Sequence, residues 1–285
     1  MEYHEFIVGE KLFNVGYKYF PNGVEDFNPF KSNIPTINSP NLKIEENIGH
    51  PIIIYAHIHH VERLFKEMKI DHKIILVTHN SDYSLDQKLF NLRPNNIIKW
   101  YSQNIMLDHP MVKSIPIGLE NERWFAEIQK KNKILNKIKE PKNYINLMYM
   151  NHNVGTNRNE RLPPYQLFGG QPWVSRAQRF NGQNFNDYIH NVYNHKFVLC
   201  PNGNGVDTHR LWETLYLNSI PIVSESININ FYRDLPIVIV KDWKSITKTF
   251  LEESFKEITD KKLNGEYNLS KLNISYWINK IKDER

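Results

Sequence analysis

The chain has 285 residues, 40% hydrophobic and 13% aromatic, enough apolar material for two mid-sized cores and too much for a disordered chain. Its 36 Lys and Arg against 31 Asp and Glu leave a net charge of +5, which suits an anionic ligand and would equally suit nucleic acid or an acidic surface. Cys200 is the single cysteine, which excludes an internal disulfide and points to a reducing, cytoplasmic setting.

Residues 1–9 contain no apolar leader, and no apolar run is long enough to span a bilayer. Residues 1–50, rich in Pro, Asn and Gly, read as short strands and loops. From residue 51 the pattern sharpens. Residues 52–56 form a buried-strand run, and residues 60–69 place Val61, Leu64, Phe65 and Met68 at helical spacing. Residues 74–78 form a second buried strand, and 97–99 and 112–116 two shorter ones. This alternation predicts a parallel sheet with helices on its faces. The charged stretch 130–142 reads as a solvated helix or linker and carries the expected domain boundary, dividing residues 1–138 from 139–268.

A second alternating series follows. Strands are predicted at 146–150, 196–201, 220–224 and 236–240, and helices at 185–194, 207–218 and 243–258. A last helix at 270–282, within a 269–285 tail, is expected to cross back to the first domain. The fold expected is therefore α/β with two Rossmann-like halves and a cleft between them. Open parallel sheets of this kind bind ligands outside the carboxyl ends of their strands.

The most informative stretch is residues 197–215. A buried strand ends at Pro201, a loop containing Asn202, Gly203 and Gly205 follows, and a helix opens at Asp207 or Thr208, with His209 and Arg210 in its first turn. Glycines allow close backbone approach, and a helix N-terminus offers free N–H groups and partial positive charge, a seat for phosphate. Arg210 can add a charge-assisted bond. Glu213, one turn on, can accept from ribose hydroxyls or can pair with Arg210.

The run from this strand through the Thr208-His209-Arg210-Leu211-Trp212-Glu213 helix to Ser219-Ile220-Pro221-Ile222-Val223 closely resembles the C-terminal half of exostosin-like glycosyltransferases. The match covers residues 188–246 and includes Leu235-Pro236 and Asp242-Trp243. In the first half, residues 99–104, His109-Pro110 and residues 115–119 look like related transferases of microbial and viral type. The resemblance implies a GT-B architecture with the donor held mainly by the second domain. It also implies inverting transfer from a nucleotide sugar, often UDP-linked. UDP-xylose, UDP-glucose, UDP-galactose and GDP-sugars all remain open, as does the identity of the glycan acceptor.

Other residues complete the expected site. Arg158, at the end of the Gly-containing loop after the 146–150 strand, fits a partner of Arg210 on the phosphates or a plain surface arginine, with Arg161 a weaker candidate for the same role. Trp173 and Val174 suit recognition of the base, although Trp173 fits a core position as well. His79 and Asp82, just past a buried strand, are the expected acceptor-side base; Asp82 also fits a helix N-cap. His57, His59 and His60 lack the paired i, i+4 spacing of a helical zinc motif, and no Asp-x-Asp triplet occurs. The expectation is a transferase with no cofactor and no divalent metal, its leaving group stabilised by Arg210, Arg158 and helix amides. The partners expected are a nucleotide sugar and a glycan, without nucleic acid. A DNA-base glycosyltransferase and a non-catalytic nucleotide- or sugar-binding module stand as alternatives.

Overall fold

The computed structural model describes residues 6–7, 12, 16–19, 36–37, 49–120, 127–177 and 184–285. Most of the expected short strands and loops of residues 1–50 lie outside the described residues. The protein is α/β and divides into two compact units, Met1–Trp124 with Lys271–Arg285, and Phe125–Ser270.

The first unit carries β1 (Tyr17–Tyr19), β2 (Thr36–Ile37), β3 (Ile52–His57), β4 (Ile74–His79), β5 (Ile97–Ser102) and β6 (Val112–Ser114). Helix α1 (Val61–Glu67) follows β3, and α2 (Gln87–Asn91) follows β4. The strands are parallel, in the order β2-β1-β3-β4-β5-β6. β3 and β4 are buried at every position, which is why they read as unbroken apolar runs: a parallel strand is covered on both faces. β5 extends past the predicted 97–99 because Trp100 and Tyr101 are also buried. Trp100 Nε1 donates to Thr78 Oγ1 at 2.9 Å, and Thr78 Oγ1 to Ser102 Oγ at 2.8 Å, so these buried side chains satisfy one another.

The second unit carries α3 (Glu127–Lys137), β7 (Asn146–Met150), α4 (Arg158–Phe168), β8 (Val174–Arg176), α5 (Phe185–Tyr193), β9 (His195–Leu199), α6 (His209–Tyr216), β10 (Ile220–Ser224), α7 (Ile227–Asn230), β11 (Val238–Val240) and α8 (Lys248–Leu263). Its sheet is parallel throughout, in the order β11-β10-β9-β7-β8. Its core joins Met148, Met150, Phe197, Leu199, Ile222, Trp243 and Leu251. Each large side chain buried there stabilises the unit by about 1.5–3 kcal/mol.

The boundary between the units falls earlier than the charged stretch suggests. That stretch is largely α3, which belongs to the second unit. Ile134 is fully buried, and Lys137 lies over the Tyr193 ring of α5, 5.7 Å from its centroid. The predicted helix over 243–258 is instead a short 3-10 turn followed by α8, which Thr247 caps at Phe250 N. Helix α4 has no sequence signal of its own, because Pro163 and Pro164 sit inside it and remove two of its backbone donors.

The C-terminal helix α9 (Ile274–Lys282) belongs to the first unit. Ile274, Trp277 and Ile281 are buried, Phe6 bridges Asn273, and Tyr101 Oη donates to Glu284 Oε1 at 2.9 Å. Gly118, at φ 68°, passes so close to Ile7 that a Cβ there would lie 2.2 Å from its carbonyl oxygen.

Candidate functional site

In the second unit the first strand, β7, lies between the second and the third, β8 and β9. The chain therefore leaves β7 toward one side of the sheet and β9 toward the other. Right-handed crossovers then place α4 and α6 on opposite faces, and the carboxyl ends of β7 and β9 are where a sheet of this topology has its crevice. The two loops that start there are Asn151–Asn157 and Cys200–Thr208, the two glycine-containing loops singled out in the sequence.

Arg161, on the first turns of α4, ties these loops together. Its side chain is 7% exposed; Nε donates to Asn202 O at 2.8 Å and Nη1 to Asn153 O at 3.0 Å. Asn157, the N-cap of α4, adds a bond from Nδ2 to Gly203 O at 2.8 Å. Gly203 N closes the loop on Gly205 O at 3.0 Å. A Cβ at Gly203 would lie 3.0 Å from Arg161 Nη2, so glycine here makes room for the guanidinium.

His152 is fully buried beside them. Its Nε2 lies 3.0 Å from Arg161 O and must donate to that carbonyl, which leaves Nδ1 as a lone-pair acceptor; this atom is buried without a partner. Burial first, with the charges of Arg210 and Arg161 adding to it, lowers the imidazole to about 4, while the hydrogen bond to Arg161 O pulls the other way. The ring is therefore neutral near pH 7.

Helix α6 begins at the same place. Its N-cap, Thr208, is extended and makes no side-chain cap bond, and its carbonyl accepts from Leu211 N at 3.1 Å; the N-terminus of the helix carries partial positive charge. Asp207 is turned toward Trp212, whose Nε1 donates to Oδ1 at 2.8 Å. Glu213, 7% exposed, accepts from Tyr188 Oη at 2.7 Å. Arg210 Nε is buried with no hydrogen-bond partner. Neither Arg161 nor Arg210 makes an ion pair with a described residue. Arg161 is lowered to about 10, by burial first and by Arg210 next. Two neighbouring guanidinium groups without a carboxylate between them form a site whose electrostatic cost an anion relieves.

The sequence candidates divide between the places where the chain sets them. Asn202, Gly203, Gly205, Thr208, His209, Arg210 and Glu213 all come together at this crevice. Arg158 stands exposed as the first residue of α4, and the arginine brought to the loops is Arg161. The helical spacing accounts for it: once Asn157 caps α4, the residue three further on from Arg158 faces inward. Trp173 and Val174 lie at the amino end of β8, about 10 Å along the sheet from its carboxyl edge. Trp173 packs beside Phe168, ring centroids 5.9 Å apart, at the rim of the core. The two last residues of the 171–179 segment lie outside the described residues.

His79 and Asp82 belong to the first unit. His79 is fully buried; Nε2 lies 2.9 Å from Pro116 O and Nδ1 3.0 Å from the Asn80 side-chain amide. A ring held at both nitrogens and closed to solvent is not poised to take a proton from a ligand. Asp82 is exposed in the following turn, and the cap of α2 is Asp86, which accepts from Leu89 N at 2.8 Å.

Near these residues, between the segments that follow β3 and β4, lies a cavity of about 610 Å³. His59, Arg63, Lys66, Tyr83, Asp86 and Lys88 line it, with the Tyr83 ring 68% exposed. Arg63 is paired with Glu67 at 2.5 Å. The His57, His59 and His60 rings cluster at the β3 end, with 4.0 Å between the last two centroids. Burial lowers His59; burial, then His59 and Arg63, lowers His60 to about 4. Among the described residues no group of His, Cys, Asp and Glu is placed to hold a metal ion, and no helix is long and apolar enough to cross a membrane.

The chain matches no protein-family model and no curated protein.

Proposed function

We propose that this protein is a glycosyltransferase of GT-B type that binds a nucleotide-diphosphate sugar, UDP-linked by preference, in the second unit. The observation that supports the reading is the pair of arginines at the β7/β9 crevice: Arg210, with a buried unpartnered Nε, and Arg161, neither in an ion pair with a described residue, beside the N-terminus of α6. The donor's pyrophosphate would lie against these groups. As the glycosidic bond breaks, negative charge grows on the β-phosphate, and in this reading the arginines and the helix N-terminus stabilise it. Donors preorganised in this way are worth roughly 3–4 kcal/mol each in a transition state. In this account positive side chains do the work that a divalent ion does elsewhere.

The acceptor, a glycan hydroxyl, belongs to the first unit, whose cavity offers an exposed Tyr83 ring and a mixed set of charged donors and acceptors. Asp82, in the turn that leads to Tyr83 and Ser84 of this cavity, is the base in the proposal; His79 holds the turn in place through Pro116 and Asn80. Attack from the side opposite the leaving nucleotide inverts the anomeric carbon.

A thermal-shift panel of nucleotide sugars, run with and without EDTA, tests the reading. One donor should raise the melting temperature of the parent in both conditions and should be turned over with an acceptor glycan. Arg210→Ala should lose shift and turnover together. Equal shifts in parent and variant would remove Arg210 from the site, and binding without turnover of any donor would make the protein a nucleotide-sugar receptor.

A further inference from the structure

Tyr188 occupies a position that the proposed donor site needs but does not itself explain. It lies on α5, the helix that precedes β9, and its hydroxyl donates to Glu213 Oε2 at 2.7 Å. Glu213 is one helical turn from Arg210, the spacing at which a glutamate and an arginine on a helix ordinarily pair. They do not pair here: Glu213 accepts from the phenol, and Arg210 makes no ion pair with a described residue.

We propose that Tyr188 is a positioning residue that holds the Glu213 carboxylate off Arg210, so that the guanidinium stays available to an anionic ligand. The inference rests on the reading of the β7/β9 crevice as a pyrophosphate site.

Three observations converge on it. The carboxylate is nearly closed to solvent, so without the phenol it must find another partner. The guanidinium one turn away on its own helix is Arg210. The Tyr188 phenol is pushed well above its ordinary value, by burial first and Glu213 next, while Arg210 pulls the other way; all three groups are thus within electrostatic reach. A tyrosine hydroxyl suits the task because it satisfies a carboxylate without bringing a positive charge that would compete for the ligand. Glu213 on this account serves the site by its absence from it, rather than by touching a ribose.

The test uses inorganic pyrophosphate, which has no ribose, titrated calorimetrically into the full chain. Tyr188→Phe should weaken binding about tenfold, because Glu213 then closes on Arg210. Tyr188→Phe combined with Glu213→Gln should recover the parent affinity, since the competing charge is gone. A Tyr188→Phe variant that binds as tightly as the parent overturns the inference, and so does a double variant that stays as weak as the single one. Should Tyr188→Phe fail to fold, Glu213→Gln alone decides: it should bind pyrophosphate at least as tightly as the parent, and weaker binding overturns the inference. The crevice reading fails differently, with a parent that does not bind pyrophosphate or an Arg210→Ala variant that binds it equally well.

Discussion

The two sheets share one plan and differ in what their carboxyl ends leave unsatisfied. In each, the first strand of the unit lies between the second and third, so each has a switch point where a crevice can open. At the end of β4, one strand over from the first unit's switch point at β1 and β3, the polar groups are closed on one another: His79 on Pro116 and Asn80, Asn80 N on Gln103 Oε1 at 3.0 Å. At the ends of β7 and β9 in the second, Arg210 Nε and His152 Nδ1 are buried without partners, and two guanidinium groups lie without an ion pair to a described residue. The two sheets thus differ in the balance of donors, acceptors and charge at these strand ends.

The sharpest way to break this contrast is at Arg161. Arg161→Met removes two charge-assisted bonds that join the loops and strands the Asn202 and Asn153 carbonyls. A loss of about 2–3 kcal/mol in urea unfolding and of all measurable nucleotide-diphosphate binding is expected. The loss is held to that size because the change also relieves repulsion with Arg210. Lys99→Met in the first unit, whose partner Glu284 keeps Tyr101, should stay within about 0.5 kcal/mol.

An acid titration separates the two units next. His152 is lowered to about 4 from an ordinary 6.5, so the unfolded chain binds the extra proton between those values. The stability linked to it is therefore complete above about pH 6.5 and is lost as pH falls toward 4. His152→Gln should flatten that part of the stability curve by an amount on the order of 2–3 kcal/mol at pH 4, read from unfolding midpoints across pH. His60 is lowered to a similar value in the first unit but is more accessible to solvent, and His60→Gln should flatten the curve less.

Gly203→Ala sharpens the comparison at smaller scale. The added Cβ meets Arg161 Nη2 at 3.0 Å, and the guanidinium must shift. About 1 kcal/mol of stability should be lost, with a several-fold weaker donor affinity by calorimetry. Gly49→Ala, where a Cβ meets nothing within 4 Å, should change neither by a measurable amount.

The readability of this fold from sequence follows the same division. Strands buried on both faces, such as β3, β4, β7 and β10, announce themselves as apolar runs, and the glycine loop before α6 marks a strand-to-helix turn with its chemistry attached. Helix α4 does not, because its two prolines speak against helix while its capping Asn157 and the packing of Phe168 decide for it. The misplacement of the second arginine follows directly: without α4, Arg158 looks like the end of a loop, and the inward turn of Arg161 has no sequence signature. Tyr188 could not be found either, since its partner lies on another helix. His79 looks catalytic in sequence because it follows a buried strand, but its two hydrogen bonds come from residues 1 and 37 positions away, and only the fold brings Pro116 to it.

The central claim is that the cationic crevice of the second unit seats a pyrophosphate, and a crystal grown with UDP tests it most directly. The account predicts a diphosphate oxygen within hydrogen-bonding distance of Arg210 Nε and of the first amides of α6, with Arg161 still spanning Asn202 and Asn153. A diphosphate bound at the first unit's cavity, or one that leaves Arg210 without a partner, would contradict it.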